Sequence, residues 1–316
     1  MDEKQPEGEK PTANVDRAMD ALERAAASAE HGAFVGESFL ATGVDVSAAI
    51  ERDRARVRGY LDRVIMGTDP EVGLDALLEC GALEVIFPEV HLMVGFSDGE
   101  WRHKDVWKHT KQVVRQSVER LEVRWGALFH DIGKVKTRSI SPDGKVHFLG
   151  HAEVGTRMFD KAERRMSLFG ADPALQRTIR FLVLHHLRPN QYENGWTDSA
   201  VRRFARDLGD HLDDLMCLAR ADITTKRPEK KKRGLDQIDN LYKRIADLAA
   251  EDAKQPPLPS GVGDLIMKEF AIPPSRLIGD IKRALEADIE SGTLEPHQPS
   301  EFYVEYVRGQ RARFGF

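Results

Sequence analysis

Five of the eleven histidines in this chain fall into a pattern that scattered structural histidines rarely produce: His109, His130, His151 and the adjacent His185 and His186. His130 is followed directly by Asp131 and then by Ile132, Gly133 and Lys134, so an imidazole and a carboxylate stand side by side where the apolar approach Trp125 to Phe129 gives way to a turn. Neutral imidazoles, one or two carboxylates and open positions for water and substrate make the donor set of a catalytic transition metal. His109, His130, Asp131 and a later carboxylate supply one such site. Asp222, in the apolar stretch LARADITT, is the nominee, because a carboxylate turned toward the core there needs a partner charge. His151 with His185 and His186 can hold a second ion, with Asp131 bridging the two. Two ions would clamp and polarise a phosphate while activating a water. Taken singly, each histidine reads more simply as a hydrogen-bonded core or surface residue, and Asp222 as a solvated helix end; the order H, HD, H, HH, D reverses that weighting.

Other charged residues border this set. Asp105 precedes His109 by one helical turn, on the same face, as an outer ligand, a group orienting a metal-bound water, or a helix-start aspartate. Lys134 and Arg188 can approach a phosphate or form surface ion pairs. Lys226, Arg227, Lys230, Lys231, Lys232 and Arg233 follow Asp222 closely and would track an RNA backbone near the mouth of the site. A charge run is more often a solvated loop, and no aromatic residues interleave with this one for base stacking.

Helical periodicity surrounds these residues, and the chain is expected to be all-α, a helical bundle with flanking helical regions and one small β-hairpin near 136–148. Val106, Val113, Ser117 and Leu121 share a helix face. The pattern predicts helices over Val15–Ala27, Ser47–Met66, a stretch opened by Asp69-Pro70 and closed by Gly81, Gly150–Leu168, Ala174–His186, Thr197–Leu208, His211–Ile223, Gly234–Ala250, Val262–Phe270 and Pro274–Ser291. Asp143-Gly144 between two short β-prone runs gives the hairpin. Met1 to about Thr12 is expected to be disordered, and Gln255–Pro259 is a stiff linker. Four regions follow: an N-terminal extension (1–46), a helical segment (47–100), the histidine-bearing domain (101–233) and a C-terminal helical region (234–316).

With 41% hydrophobic residues the chain can bury proper cores. No apolar run approaches the roughly 20 residues a membrane span needs, and the expected location is the cytoplasm. The net charge of −5 argues against indiscriminate DNA binding. Cys80 and Cys217 lie far apart in apolar contexts and are expected to be buried thiols.

The histidine and aspartate order resembles that of the HD-domain metal-dependent phosphohydrolases, through His109, the His130-Asp131 pair with its Ile-Gly-Lys extension, and Asp222. The resemblance implies that these four hold the primary metal and that His151, His185 and perhaps His186 fill a second site. Several stretches are also similar to the C-terminal half of bacterial CCA-adding tRNA nucleotidyltransferases: Gly73–Val90, His103–Thr110, Ala127–Arg138, Val146–Gly155, Leu218–Arg227 and Gly263–Gly292. The likeness runs from about Glu51 to Gly292, with 47–100 matching an RNA-binding segment. The Gly-rich strand-turn and Asp-x-Asp pair of the polymerising head do not occur, and the stretch before Glu51 is too short to house it, so polymerisation is not expected. What the likeness implies instead is phosphodiesterase or phosphatase activity on nucleotide or RNA 3'-end phosphates, with 2',3'-cyclic or 2'-phosphate as the specific expectation. Asp131 and Lys134 would be catalytic, Lys134, Arg188, Lys226 and Arg227 would bind substrate, and one or two Mn, Fe, Ni, Co or Zn ions would activate a hydroxide. The rival readings are a noncatalytic tRNA-binding module and, behind it, a di-iron oxygenase.

Overall fold

Short polar side chains start the helices that matter most. In the computed structural model, which describes residues 11–36, 43–97, 105–193, 195–253 and 256–316, Asp69 accepts from the Glu71 amide, Asp105 from Lys108, Asp172 from Leu175 and Thr197 from Ala200. Pro70 and Pro173 occupy first-turn positions, where a missing N–H costs nothing. The elements run α1 (Pro11–His31), α2 (Gly43–Met66), α3 (Pro70–Glu79), α4 (Ala82–Ile86), α5 (Pro88–His91), α6 (Val106–Gln116), α7 (Leu121–Phe129) and α8 (Lys134–Thr137). The hairpin β1 (Ser139–Ile140) and β2 (Val146–His147) follows, antiparallel with Ser139 opposite His147 and Ile140 opposite Val146. Then come α9 (His151–Met166), α10 (Pro173–His185), α11 (Asp198–Leu208), α12 (Leu212–Ala221), α13 (Pro228–Asp252), α14 (Val262–Phe270), α15 (Arg276–Glu290), α16 (Ser300–Gly309) and α17 (Arg311–Phe314). The all-α expectation with one small hairpin holds.

Particulars differ from the sequence reading. Helix α1 starts at Pro11, inside the stretch expected to be disordered; the remainder of that stretch, 1–10, lies outside the described residues. α2 breaks at Asp53 (φ −153°), whose carboxylate accepts from the Arg56 amide at 3.0 Å and so starts a fresh helical run. The basic run expected as a loop lies largely in the opening turns of α13, which begins at Pro228. Helices α16 and α17 were not foreseen.

The chain divides into two compact units: Met1–Asn194 with Asp210–Leu241, and Gly195–Gly209 with Tyr242–Phe316. In the first, every residue of α7 from Val123 to Phe129 is buried. The Trp125 indole N–H donates to Asp62 Oδ1 at 2.8 Å, and its ring meets Phe87, Phe129 and Phe169. The buried Arg124 guanidinium donates to the carbonyls of Ile65 and Gly67 at 3.0 and 3.2 Å, tying α7 to the end of α2. With both faces fixed, α7 delivers His130-Asp131 to one place.

The second unit has its own core of Val262, Ile266, Ile281, Leu285, Tyr303 and Val307. Long-range ion pairs hold α11 in this unit: Arg202 forks onto Asp252, and Arg244 meets Asp198. Asp288 accepts both Arg313 guanidinium nitrogens, at 2.6 and 2.9 Å, and the Tyr306 hydroxyl at 3.0 Å. Arg313 holds its carboxyl below the usual carboxylate range, against the opposing pull of burial. A lowered folded-state pKa adds stability that is present above the ordinary carboxylate pKa and is lost as pH falls through the folded value. Asp288→Ala should therefore cost the C-terminal unit about 1–2 kcal/mol at neutral pH, discounted for the exposed guanidinium. Urea denaturation at neutral pH and at pH 3 should show the gap to wild type narrowing in acid; a gap that stays constant would refute it.

No helix among the described residues is long and apolar enough to cross a membrane. Cys80 is buried and Cys217 half-buried, and both are free thiols.

Candidate metal centre

Four imidazoles and two carboxylates from five chain segments converge in the first unit. His109 comes from α6, His130 and Asp131 from the turn after α7, His151 from the start of α9, His186 from the end of α10, and Asp222 from the end of α12. Asp131 stands between two pairs of rings. Its Oδ2 lies 3.2 Å from His130 Nε2 and 3.4 Å from His109 Nε2; its Oδ1 lies 3.5 Å from His151 Nε2 and 3.9 Å from His186 Nε2. Asp222 Oδ1 completes the first pair, 3.0 Å from His109 Nε2 and 3.6 Å from His130 Nε2. Nε2 atoms within each pair are 3.4 and 3.1 Å apart.

The outward nitrogens explain why all four Nε2 atoms face inward. His130, His151 and His186 each donate Nδ1–H to the carbonyl three residues earlier, Ala127 at 2.7 Å, Phe148 at 2.8 Å and Val183 at 2.8 Å. A carbonyl only accepts, so Nδ1 carries a proton and Nε2 is the ring nitrogen left to face the centre, the orientation a metal ligand needs. His109 Nδ1 meets the Thr224 hydroxyl at 2.9 Å. Thr224→Val should lower metal affinity about 10- to 100-fold, measurable by competition with a chromogenic chelator; unchanged affinity would remove Thr224 from the centre.

Packing brings the two pairs together. Ile132 is fully buried, and Gly133 lies against the first turn of α9. A Cβ on Gly133 would come within 2.6 Å of the Gly155 amide nitrogen and closer still to the His151 carbonyl oxygen. On α9 the facing residue is Gly155. This glycine-to-glycine contact sets His151 beside Asp131.

Charge follows the same division. Burial opposes a charge on His130, yet Asp131 and Asp222 outweigh it and raise its pKa to about 10; His109 is raised by the same two carboxylates against burial. Both aspartates are held below the usual carboxylate range, burial being overcome by His130 and Lys134 for Asp131 and by His109 and His130 for Asp222. On the other side burial dominates, lowering His151 and pushing His186 down to about 4. The His109–His130 side thus favours a positive charge, and the His151–His186 side presents neutral rings. His109, His130 and Asp131, and again Asp131, His151 and His186, have donor atoms close enough to share an ion. The donor set fits a divalent metal on either side.

Other sequence-nominated residues fall differently. His185 does not join the cluster; its ring lies 4.3 Å from that of Phe181, because successive helical residues point about 100° apart and only His186 can face inward. Asp105 is the N-cap of α6, its carboxylate taken by the Lys108 amide rather than turned to the ligands. Lys134 Nζ bonds Asp131 Oδ2 at 2.6 Å. Arg188 opens the short 3-10 turn Pro189–Gln191, and Lys226 and Arg227 are exposed. Two supports escaped sequence reading. Thr224 did so because nothing local marks it. Gln116, whose amide donates to the carbonyls of Ala221 and Ile223 on either side of Asp222, acts across more than a hundred residues.

Two family models match the chain. The family model "HD domain" matches residues 104–227, and "Probable RNA and SrmB- binding site of polymerase A" matches 53–93. The chain is 29% identical over 258 residues to an A-adding tRNA nucleotidyltransferase of Deinococcus radiodurans, covering 79% of this chain and 57% of that protein. It is 31% identical over 267 residues to a CC-adding tRNA nucleotidyltransferase of Thermus thermophilus, covering 82% and 58%. A multifunctional CCA protein of Shewanella denitrificans is 30% identical over 134 residues, 40% of this chain and 32% of that one. The chain thus spans little more than half the length of the first two. The segment that carries the histidine and aspartate cluster matches the HD domain, and over about four fifths of its length the chain is similar to the tRNA nucleotidyltransferases.

Proposed function

We propose that this chain is a metal-dependent phosphohydrolase acting on nucleotide or RNA terminal phosphates, with 2',3'-cyclic and 2'-phosphates as the preferred class. The observation that carries the reading is Asp131, buried between two pairs of inward-facing imidazoles. A bound divalent ion would supply the charge that neutralises phosphoryl oxygens and makes a water acidic enough to attack phosphorus. The chain's own residues do the rest. Asp131 offers one oxygen to each side, and the carbonyls of Ala127, Phe148 and Val183 hold three rings so that no reorientation is needed on loading. Lys134, only partly buried, keeps a cation beside Asp131 where a phosphate oxygen arrives.

Protein purified without chelator should contain Mn, Fe, Co, Ni or Zn, and should hydrolyse 2',3'-cyclic nucleotides, 2'-phosphates or bis(p-nitrophenyl) phosphate when supplied with one of them. Inactivity with every ion sinks the proposal. A second reading, a noncatalytic RNA-binding module, is favoured by the match over 53–93 and by the exposed basic turns of α13. Tight tRNA binding that survives His130→Ala and Asp131→Ala, without turnover in wild type, would favour it instead.

A further inference from the structure

One aromatic side chain stands beside Lys134, next to the histidine and aspartate cluster. The Lys134 ammonium that bonds Asp131 Oδ2 also stands 5.7 Å from the centre of the Phe148 ring. Phe148 therefore shares this ammonium with the central carboxylate, and its carbonyl aims His151. Its ring is half-buried and meets the half-buried Phe96 obliquely, centroids 6.4 Å apart at 58°. Next along the chain Leu149 is 81% exposed, and Ile140 on the hairpin is 59% exposed.

Exposed apolar side chains are ordinary when isolated, but a partly open aromatic ring beside a phosphate-type site is a recognition device. Flat π-faces are what nucleobases stack on, and such stacking tolerates any base. The geometry points to Phe148, backed by Phe96, as the stacking platform for the substrate's base, with Leu149 at its edge. A ligand whose phosphate reaches Lys134 and the metal side would carry its base across this ring. The inference rests on the phosphohydrolase reading for the position of the phosphate, and it adds to that reading the side chain that takes the substrate's base. The basic run of α13 lacked interleaved aromatics; the hairpin side of the centre supplies them.

The test is equilibrium binding of adenosine 3'-monophosphate and of ribose 5-phosphate to the manganese-loaded protein, followed by calorimetry. Using the ratio of the two affinities cancels general damage to the metal centre. Wild type should prefer the nucleotide by about tenfold or more. That preference should collapse in Phe148→Ala and in Phe148→Leu, which keeps apolar bulk without the π-face, and should return in Phe148→Tyr. No preference in wild type, or a preference that persists in both the Ala and Leu variants, overturns the proposal. Turnover of 2',3'-cyclic AMP is read separately: its absence in wild type counts against the phosphohydrolase reading, whereas the affinity ratio reports on the platform whether or not turnover occurs.

Discussion

Asp131→Asn should strip the centre of metal and lower turnover about a thousandfold or more, on the order of 4 kcal/mol of transition-state stabilisation. The substitution keeps the shape of the side chain and removes its charge. Both oxygens of Asp131 are engaged, one toward His109 and His130 and one toward His151 and His186, so a single change weakens both sides at once. The amide that replaces one oxygen carries hydrogens and turns a donor group toward Nε2 lone pairs or toward the ion. Asp131→Asn also leaves Lys134 without its carboxylate partner in a partly buried position. Elemental analysis of the purified variant, beside circular dichroism to show that the helices remain, reads the effect. A variant with full metal content and turnover within tenfold of wild type would falsify the central role given to Asp131.

Gly133→Ala should be nearly as damaging although Gly133 supplies no donor atom to the centre. Its Cβ meets backbone, the His151 carbonyl and the Gly155 amide, so no flexible side chain can move aside. Overpacking of this kind costs about 1–3 kcal/mol even where neighbours can yield. Here α9 itself would have to withdraw, and His151 would go with it. The expected result is a lowered melting temperature together with loss of ion binding on the His151–His186 side, while the His109–His130 side, which includes no α9 residue, still loads. Normal stability with complete loading would show that α9 accommodates the methyl group.

How far the sequence revealed this centre depended on how local each cause was. The order of histidines and aspartates pointed to His109, His130, Asp131, His151, His185, His186 and Asp222, and all of these but His185 converge. The choice between His185 and His186 was not legible, since it depends on the rotation of α10 about its axis, which packing against α7 and α9 decides. Asp105 shows the reverse case. Its place before a helix suited a helix-start aspartate slightly better than an outer ligand, and the Lys108 hydrogen bond agrees with the former. Capping residues such as Asp69 and Thr197 made helix starts easy to read. The ion pairs Arg202–Asp252 and Asp198–Arg244 were not, because they join residues about fifty positions apart. Helix α13 was recognised from Gly234 onward; its basic opening turns gave no apolar periodicity and were assigned to a loop.

Three of the four rings are aimed by peptide carbonyls in their own turn, at Ala127, Phe148 and Val183. Every amino acid provides that carbonyl, so the side chains at these positions can drift over generations without disturbing the aim of an imidazole. Only His109 relies on a side-chain hydroxyl, that of Thr224, for the equivalent service. The centre therefore exposes few points at which a neutral-looking mutation could erode it, and Thr224 is the one such point among the partners of its rings.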